Sequence, residues 1–164
     1  MRNRNKGNKL AWMSIFIALS VVGAYIKIPA VPGSIALDSF PSLVAAAVLG
    51  GPTGALTAAF GHLVSAYLGG FPLGPFHLFI AAEMALLVSG FVWLYNHVNQ
   101  FIAGAFFLLG NAILAPLPFW FIISKGFYLT IVPPLFIGSL LNIGIALLTI
   151  PRVYAAFQVR WGKR

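Results

Sequence analysis

The chain contains no cysteine and only two acidic residues in 164 positions. Without thiols there is no disulfide, no thiolate metal site and no cysteine nucleophile. Charge of either sign is scarce: 7% of residues are charged, where soluble domains carry roughly a quarter. Eight of the ten cations lie before Leu10 or after Pro151, so Lys27, Asp38, Glu83 and Lys125 are the only formal charges between those points. The net charge of +8 is therefore a property of the tails. A nucleic-acid binder would line a folded face or groove with its cations, whereas cations gathered at the chain ends suit anionic lipid headgroups. There is no Walker-type phosphate loop, which excludes ATP hydrolysis by that route. No charge ring or filter-like repeat of a channel is present, nor an inverted repeat of the kind many transporters carry.

What fills the sequence is apolar: 60% of residues are hydrophobic and the mean hydropathy is +0.96. A membrane span needs about 20 apolar residues, and six segments approach or reach that length, at 10–28, 41–49, 52–68, 76–95, 101–123 and 128–150. The second is too short to cross as a straight helix without its flanks. The third is rich in Gly and Ala and reads as a buried central helix that its neighbours approach closely. Between segments, Pro29, Pro32 and Gly33, then Gly69-Gly70-Phe71-Pro72-Leu73-Gly74-Pro75, then residues 124–127 form breaks. Pro116 and Pro118 interrupt the fifth segment, and Pro133 and Pro134 lie near the start of the sixth. Freed carbonyls of this kind are tolerated in a membrane where the backbone is buried or lines a cavity.

Cations sort the topology. Arg2, Arg4, Lys6 and Lys9 precede the first segment and Arg152, Arg160, Lys163 and Arg164 follow the last. Both tails, 1–9 and 152–164, then belong in the cytoplasm by the positive-inside rule. The expected fold is an all-α integral membrane protein of six transmembrane helices, 10–151, in a cell membrane, with the three Gly-, Pro- and aromatic-rich breaks on the outer side. A secretion signal over the first segment is disfavoured, because apolar segments continue to the C-terminus.

Few polar groups remain inside such a bundle. Glu83 lies in the fourth segment, where a charge costs several kcal/mol unless it faces the interior or is neutral; it is either a functional carboxyl or a protonated or paired group holding helices together. His62 in the third segment, Asn111 in the fifth and Asn142 in the sixth fall at similar depths, which outlines a small polar cavity; helix–helix hydrogen bonding explains each Asn equally well. His77 beside the Gly-Phe-Pro loop suits a cavity mouth better than a pair with Glu83. Asp38 in the first outer loop is either a cavity residue or a solvated or capping group for the next helix. Phe71, Phe76, Phe119, Trp120, Phe127 and Tyr128 gather at the outer ends, as an interfacial belt or, for one or two of them, a stacking wall. His62, His77 and Glu83 lack the i, i+3 or i, i+4 spacing of metal ligands on one helix, so neither metal nor cofactor is expected. In the first segment Ser14 and Ala18, four residues apart, make a flat surface suited to another helix, in this chain or in a separate subunit.

Taken together, Ser14 with Ala18, the stretch Ile35-Ala36-Leu37-Asp38-Ser39-Phe40-Pro41, the turn Leu49-Gly50-Gly51-Pro52-Thr53-Gly54-Ala55, Gly61-His62-Leu63 and Gly70-Phe71-Pro72-Leu73-Gly74-Pro75-Phe76-His77 resemble the substrate-binding S components of energy-coupling-factor vitamin transporters. Ser14 stands where that family usually has the first alanine of an alanine-x-x-x-alanine pair, a small-for-small change. The resemblance covers nearly the whole chain. It implies a bacterial membrane receptor, not an enzyme, that captures a vitamin or precursor at its outer face with the outer loops and the last three helices. It also implies docking, through Ser14 and Ala18, on a transmembrane coupling subunit joined to two cytoplasmic ATPases. Asp38, His62, His77, Glu83, Asn111, Trp120, Lys125 and Asn142 are the expected substrate-binding residues. Within the family the 71–83 region looks most like members associated with α-ribazole or dimethylbenzimidazole, precursors of the lower ligand of cobalamin. Pantothenate is the alternative cargo; being anionic, it would favour a cationic pocket, and Lys27 and Lys125 at the outer edge are the internal cations. From another class altogether, a small intramembrane enzyme or assembly factor using Glu83 and His62 fits the same composition.

Overall fold

The computed structural model describes residues 2–29 and 34–161, with side chains from 8 to 26 and 36 to 157. Pro32, Gly33, Lys163 and Arg164 lie outside the described residues, as do the side chains of Arg2, Arg4, Lys6, Lys27, Ile35 and Arg160. The chain is helical apart from one small hairpin. Helix α1 is Arg2–Tyr25; strands β1 (Lys27–Pro29) and β2 (Ser34–Ala36) pair antiparallel, Ile28 opposite Ile35. There follow α2 (Phe40–Leu49), α3 (Gly51–Leu68), α4 (Phe76–His97) and α5 (Gln100–Leu109). A π turn (Gly110–Leu114), α6 (Leu117–Ile122) and the long α7 (Lys125–Trp161) complete the fold.

Several segment boundaries move from their expected places, each for a local reason. The first helix stops at Tyr25 instead of 28, because the next residues enter the hairpin and Gly23 accepts from the Leu37 N–H at 3.1 Å through its carbonyl. A Cβ at Gly23 would run into the Leu37 carbonyl, so only glycine admits this approach. Residues 124–127 are not a loop but the cap and first turn of α7: Phe127 N donates to Ser124 Oγ at 3.0 Å, supplying the N-cap that satisfies a free helix-terminal amide. The short polar break after α4 is capped likewise, with Ile102 N donating to Asn99 Oδ1 at 2.8 Å. Both basic tails are largely helical, as extensions of α1 and α7.

Pro116 and Pro118 lack the N–H that an α-helix needs. The chain answers with the π turn, in which Ala115 N donates to Gly110 O at 2.8 Å, and with Tyr128 Oη, which donates to Ile113 O at 3.3 Å. Such single-turn π insertions recur at functional sites, and this one carries Asn111.

Four stretches are long and apolar enough to cross a membrane: Asn8–Tyr25, Phe76–His97, Gln100–Ile122 and Lys125–Phe157. The count of six expected from the sequence includes α2, an apolar helix of ten residues, and α3, whose small residues dilute its hydropathy. Helix α2 is about 15 Å long at 1.5 Å per residue and sits inside the others, with residues Pro41, Ser42, Leu43, Val44, Ala45 and Ala46 all buried. The core wraps it: Phe16 from α1, Ala58 from α3, Met84, Val88 and Phe91 from α4, Phe107 from α5, and Ile143 and Ala146 from α7. Glycines set the closeness of the α1–α2–α3 packing. A Cβ on Gly54 would meet Ala46 of α2, and one on Gly61 would lie 2.8 Å from Ser20 Cβ of α1. Large apolar side chains such as Leu86, Phe101, Phe121 and Leu148 point outward, an arrangement that water disfavours and a hydrocarbon surrounding accommodates.

The ends of the bundle differ. Trp12 packs on Phe157, ring centroids 4.8 Å apart, so α1 and α7 leave from the same end. At the other end the hairpin, the 69–75 loop and the α6–α7 junction converge.

Candidate functional site

Two adjoining cavities open at that convergent end. One, of about 200 Å³, is lined by Ala36, Asp38, Ser39, Asn111, Ile131, Pro134, Leu135, Gly138, Ser139 and Asn142. The second, of about 220 Å³, is lined by His62, Leu73, His77, Ile80, Glu83, Asn111, Ala115, Pro116, Phe119, Phe127, Ile131 and Leu135. Asn111, Ile131 and Leu135 belong to both, so the two are lobes of one site separated by a shared wall. The first lobe is polar; the second is apolar with a few polar groups at its edge.

The polar lobe is built by one residue. Asn142 of α7 is 2% exposed, and its Oδ1 accepts from Ser39 N at 3.0 Å and Phe40 N at 2.8 Å. Its Nδ2 donates to Ala36 O at 2.9 Å and to Gly138 O at 2.8 Å. An amide offers two donor hydrogens and two acceptor lone pairs, so Asn142 is saturated within the protein. It lines the lobe but acts as a clamp, holding the hairpin and capping α2 from a distant helix. The cap expected of Asp38 is thereby taken: Asp38 instead accepts from Ser39 Oγ at 3.0 Å and faces the lobe. Burial pushes the Asp38 carboxyl above the usual range, the hydrogen bond from Ser39 opposing this only in part. Asn111 Nδ2 donates to Ser139 Oγ at 2.8 Å. Its Oδ1 has no partner among the described residues and is the acceptor presented at the wall between the lobes.

In the apolar lobe the two histidines pair, with His62 Nε2 and His77 Nδ1 3.1 Å apart. Leu73 N donates to His77 Nε2 at 3.3 Å, so that nitrogen carries the lone pair and Nδ1 the hydrogen, a tautomer assigned from the network. His77 then donates to His62 Nε2, and the hydrogen of His62 resides on Nδ1. This relay fastens the 69–75 loop, whose Phe71 has a positive φ of 53° and packs edge-on against His77, ring centroids 5.0 Å apart. His77 is buried, 6% exposed, and joined to His62, and both share a lobe with Glu83. Among the described residues no group of three or more His, Cys, Asp or Glu is placed to hold a metal ion.

Glu83 has no hydrogen-bond partner, and its Oε2 is closed off from solvent as well. Among the described side chains no Lys or Arg lines either lobe. A carboxylate left ionised in such a setting costs several kcal/mol. Phe119 and Phe127 wall the lobe, their ring centroids 6.1 Å apart in a T-shaped contact, and Phe76 and Phe79 back Phe119 from behind. Trp120 and Lys125 line neither lobe. Lys125 Nζ stands 5.4 Å from the Trp120 ring centre, and Trp120 packs on Tyr128, a cluster at the end of the bundle. The site therefore gathers Asp38, His62, His77, Glu83, Asn111 and Asn142 and leaves Trp120 and Lys125 aside. Sequence reading missed Ser139 and the Pro134–Leu135 wall; the proline pair and the four-residue step from Leu135 to Ser139, one helical turn, are the signals that mark them.

Ser14 and Ala18 lie on an exposed face of α1 with Ile15, Leu19 and Val22, while Phe16, Ser20 and Gly23 face inward. The hydroxyl of Ser14 donates back to Leu10 O at 3.1 Å, so its polar group is satisfied within α1. No protein-family model matches the chain, and no curated protein matches it.

Proposed function

We propose that this protein is a membrane receptor for a small organic nutrient: the substrate-binding S component of an energy-coupling-factor transporter, with six crossings in the bacterial cytoplasmic membrane and both termini inside. The observation that carries the reading is the two-lobed cavity. Polar groups from the β2–α2 link, α3, α4, the π turn and α7 line two adjoining, partly open lobes at the end of the bundle away from Trp12 and Phe157. Among the described residues helix α1 contributes nothing to the cavity, and it exposes Ser14 and Ala18 beside Ile15, Leu19 and Val22 as an apolar face for a coupling subunit, which two cytoplasmic ATPases would drive.

The lobes favour a cargo with two unlike ends. The apolar lobe with its Phe walls suits a flat ring, and the acceptors Asp38 and Asn111 Oδ1 with the Ser139 hydroxyl suit a sugar. A benzimidazole nucleoside such as α-ribazole combines these ends. Pantothenate fits less well, because a carboxylate cargo calls for a cation and no Lys or Arg lines the site among the described side chains. Native mass spectrometry of the protein purified from cells given α-ribazole tests the reading. A bound mass equal to the nucleoside is expected, and uptake of the radiolabelled compound should require this chain together with the coupling subunit and the ATPases. A protein that carries no small molecule, in cells whose uptake of every vitamin ignores the chain, overturns it.

A further inference from the structure

Glu83 is the carboxyl in the apolar lobe that the described residues leave without a hydrogen-bond partner. The relay from Leu73 through His77 to His62 uses both nitrogens of His77 and Nε2 of His62, and Asn111 Nδ2 is committed to Ser139. Among the described residues none supplies Glu83 with a donor, an acceptor or a positive charge. Whatever occupies the lobe must complete this carboxyl. An ionised carboxyl needs a partner that brings a positive charge; a neutral one needs a partner that accepts its hydrogen. A weakly basic nitrogen meets both demands, because a carboxylate facing a protonated base and a carboxylic acid facing a neutral base hold the same single proton. A carbonyl meets only the second. The remaining walls are apolar and aromatic, which calls for a flat body around that nitrogen.

We propose that the apolar lobe takes a flat heteroaromatic carrying one basic nitrogen, and that it binds with one proton shared between that nitrogen and Glu83. This rests on the receptor reading above and adds a proton to it. When both groups are unprotonated in the free state, the proton comes from solvent on binding, and affinity falls about tenfold for each unit of rising pH. The other titratable groups lining the lobe are His62 from α3 and His77 from α4. Leu73 of the 69–75 loop, the π turn, α6 and α7 contribute none to it, α2 and α5 contain none, and Asp38 lines the other lobe. Protonating the histidine pair disrupts the Leu73 contact and acts on the acid side, so the alkaline limb reports Glu83.

The test uses the full-length protein in lipid nanodiscs, titrated by calorimetry from pH 6 to 10 in buffers of differing ionisation enthalpy. The probes are 5,6-dimethylbenzimidazole, 5,6-dimethylindole, which keeps the bicycle without the basic nitrogen, and 1-indanone, which offers a carbonyl. Dimethylbenzimidazole should bind with uptake of one proton on the alkaline limb and at least a hundredfold more tightly than either comparator. Glu83→Gln, whose amide donates at every pH, should retain weakened binding with the alkaline limb and the proton uptake gone. Equal binding of the three probes, or uptake that persists in Glu83→Gln, overturns the inference. If no probe binds while native mass spectrometry finds a different molecule in the site, the base requirement falls and the receptor stands; if the site holds nothing, both fall.

Discussion

Single residues divide the work of the site between holding and meeting. Asn142 holds: its four hydrogen bonds tie α7 to β2 and to the start of α2, and none is left for a ligand. Asn142→Ala strips the buried Ser39 and Phe40 amides of their acceptor, and a buried donor left bare costs about 1–3 kcal/mol. The variant should lose about 3 kcal/mol of stability and bind cargo poorly because the polar lobe loses its floor, whereas Asn111→Ala should weaken binding with the melting temperature nearly unchanged. Thermal unfolding of the two variants alongside cargo titrations checks this; equal melting temperatures for Asn142→Ala and the parent would show that the clamp is dispensable. Glu83 was legible as a candidate because an intramembrane carboxyl is costly wherever it stands. That Asn142 bonds within the protein was one of its two readings in the sequence; its partners were not legible, since the amides 102 and 103 residues away come within reach only once α2 and α7 are packed.

At the scale of helices and turns, hydropathy and punctuation went far and then ran out. The long segments at 76–95 and 101–123 are visible in the sequence within a residue or two of their helices, because apolar length alone marks them. The hairpin was not visible: three-residue strands carry almost no periodic signal, and their pairing depends on Gly23 lying under Leu37. Nor was the merging of 124–127 into α7, which turns on one Ser124 hydroxyl. The small-residue content of α3 was readable as close packing, and its partners are now specific. Gly54 rests against Ala46 in the buried α2, with no room for a Cβ between the two backbones. Gly54→Val should therefore force α2 and α3 apart and cost about 3 kcal/mol or more by overpacking, lowering the yield of folded protein in detergent. Gly144→Ala, on α7 where a Cβ meets nothing within 4 Å, should leave it unaltered. Size-exclusion profiles and melting curves of the pair decide the matter, and a stable Gly54→Val protein would refute the close approach.

For the molecule as a whole, the arrangement separates the cavity from the exposed face of α1, and the proposed function assigns the first to cargo and the second to a partner. The two lobes are lined by the end of the hairpin, the β2–α2 link, α3, the 69–75 loop, α4, the π turn, α6 and α7, with Trp12 and Phe157 at the opposite end. Helix α1 stands to one side, packed on α2 and α3 through Phe16, Ser20 and Gly23 and turning Ser14 and Ala18 outward. Close helix contact in a membrane relies on small side chains that let backbones approach, and a bulky ring on that face blocks the approach without touching the interior. Ala18→Trp should accordingly bind α-ribazole with the parent's affinity and melt at the parent's temperature. Its recovery in complex with the coupling subunit and ATPases should drop at least tenfold, abolishing uptake. Glu83→Ala should show the reverse, assembling normally and binding poorly. Co-purification of the complex, measured beside ligand titration for both variants, separates the outcomes. Should Ala18→Trp assemble and transport as the parent does, the exposed face of α1 meets lipid and the coupling partner docks elsewhere on the bundle.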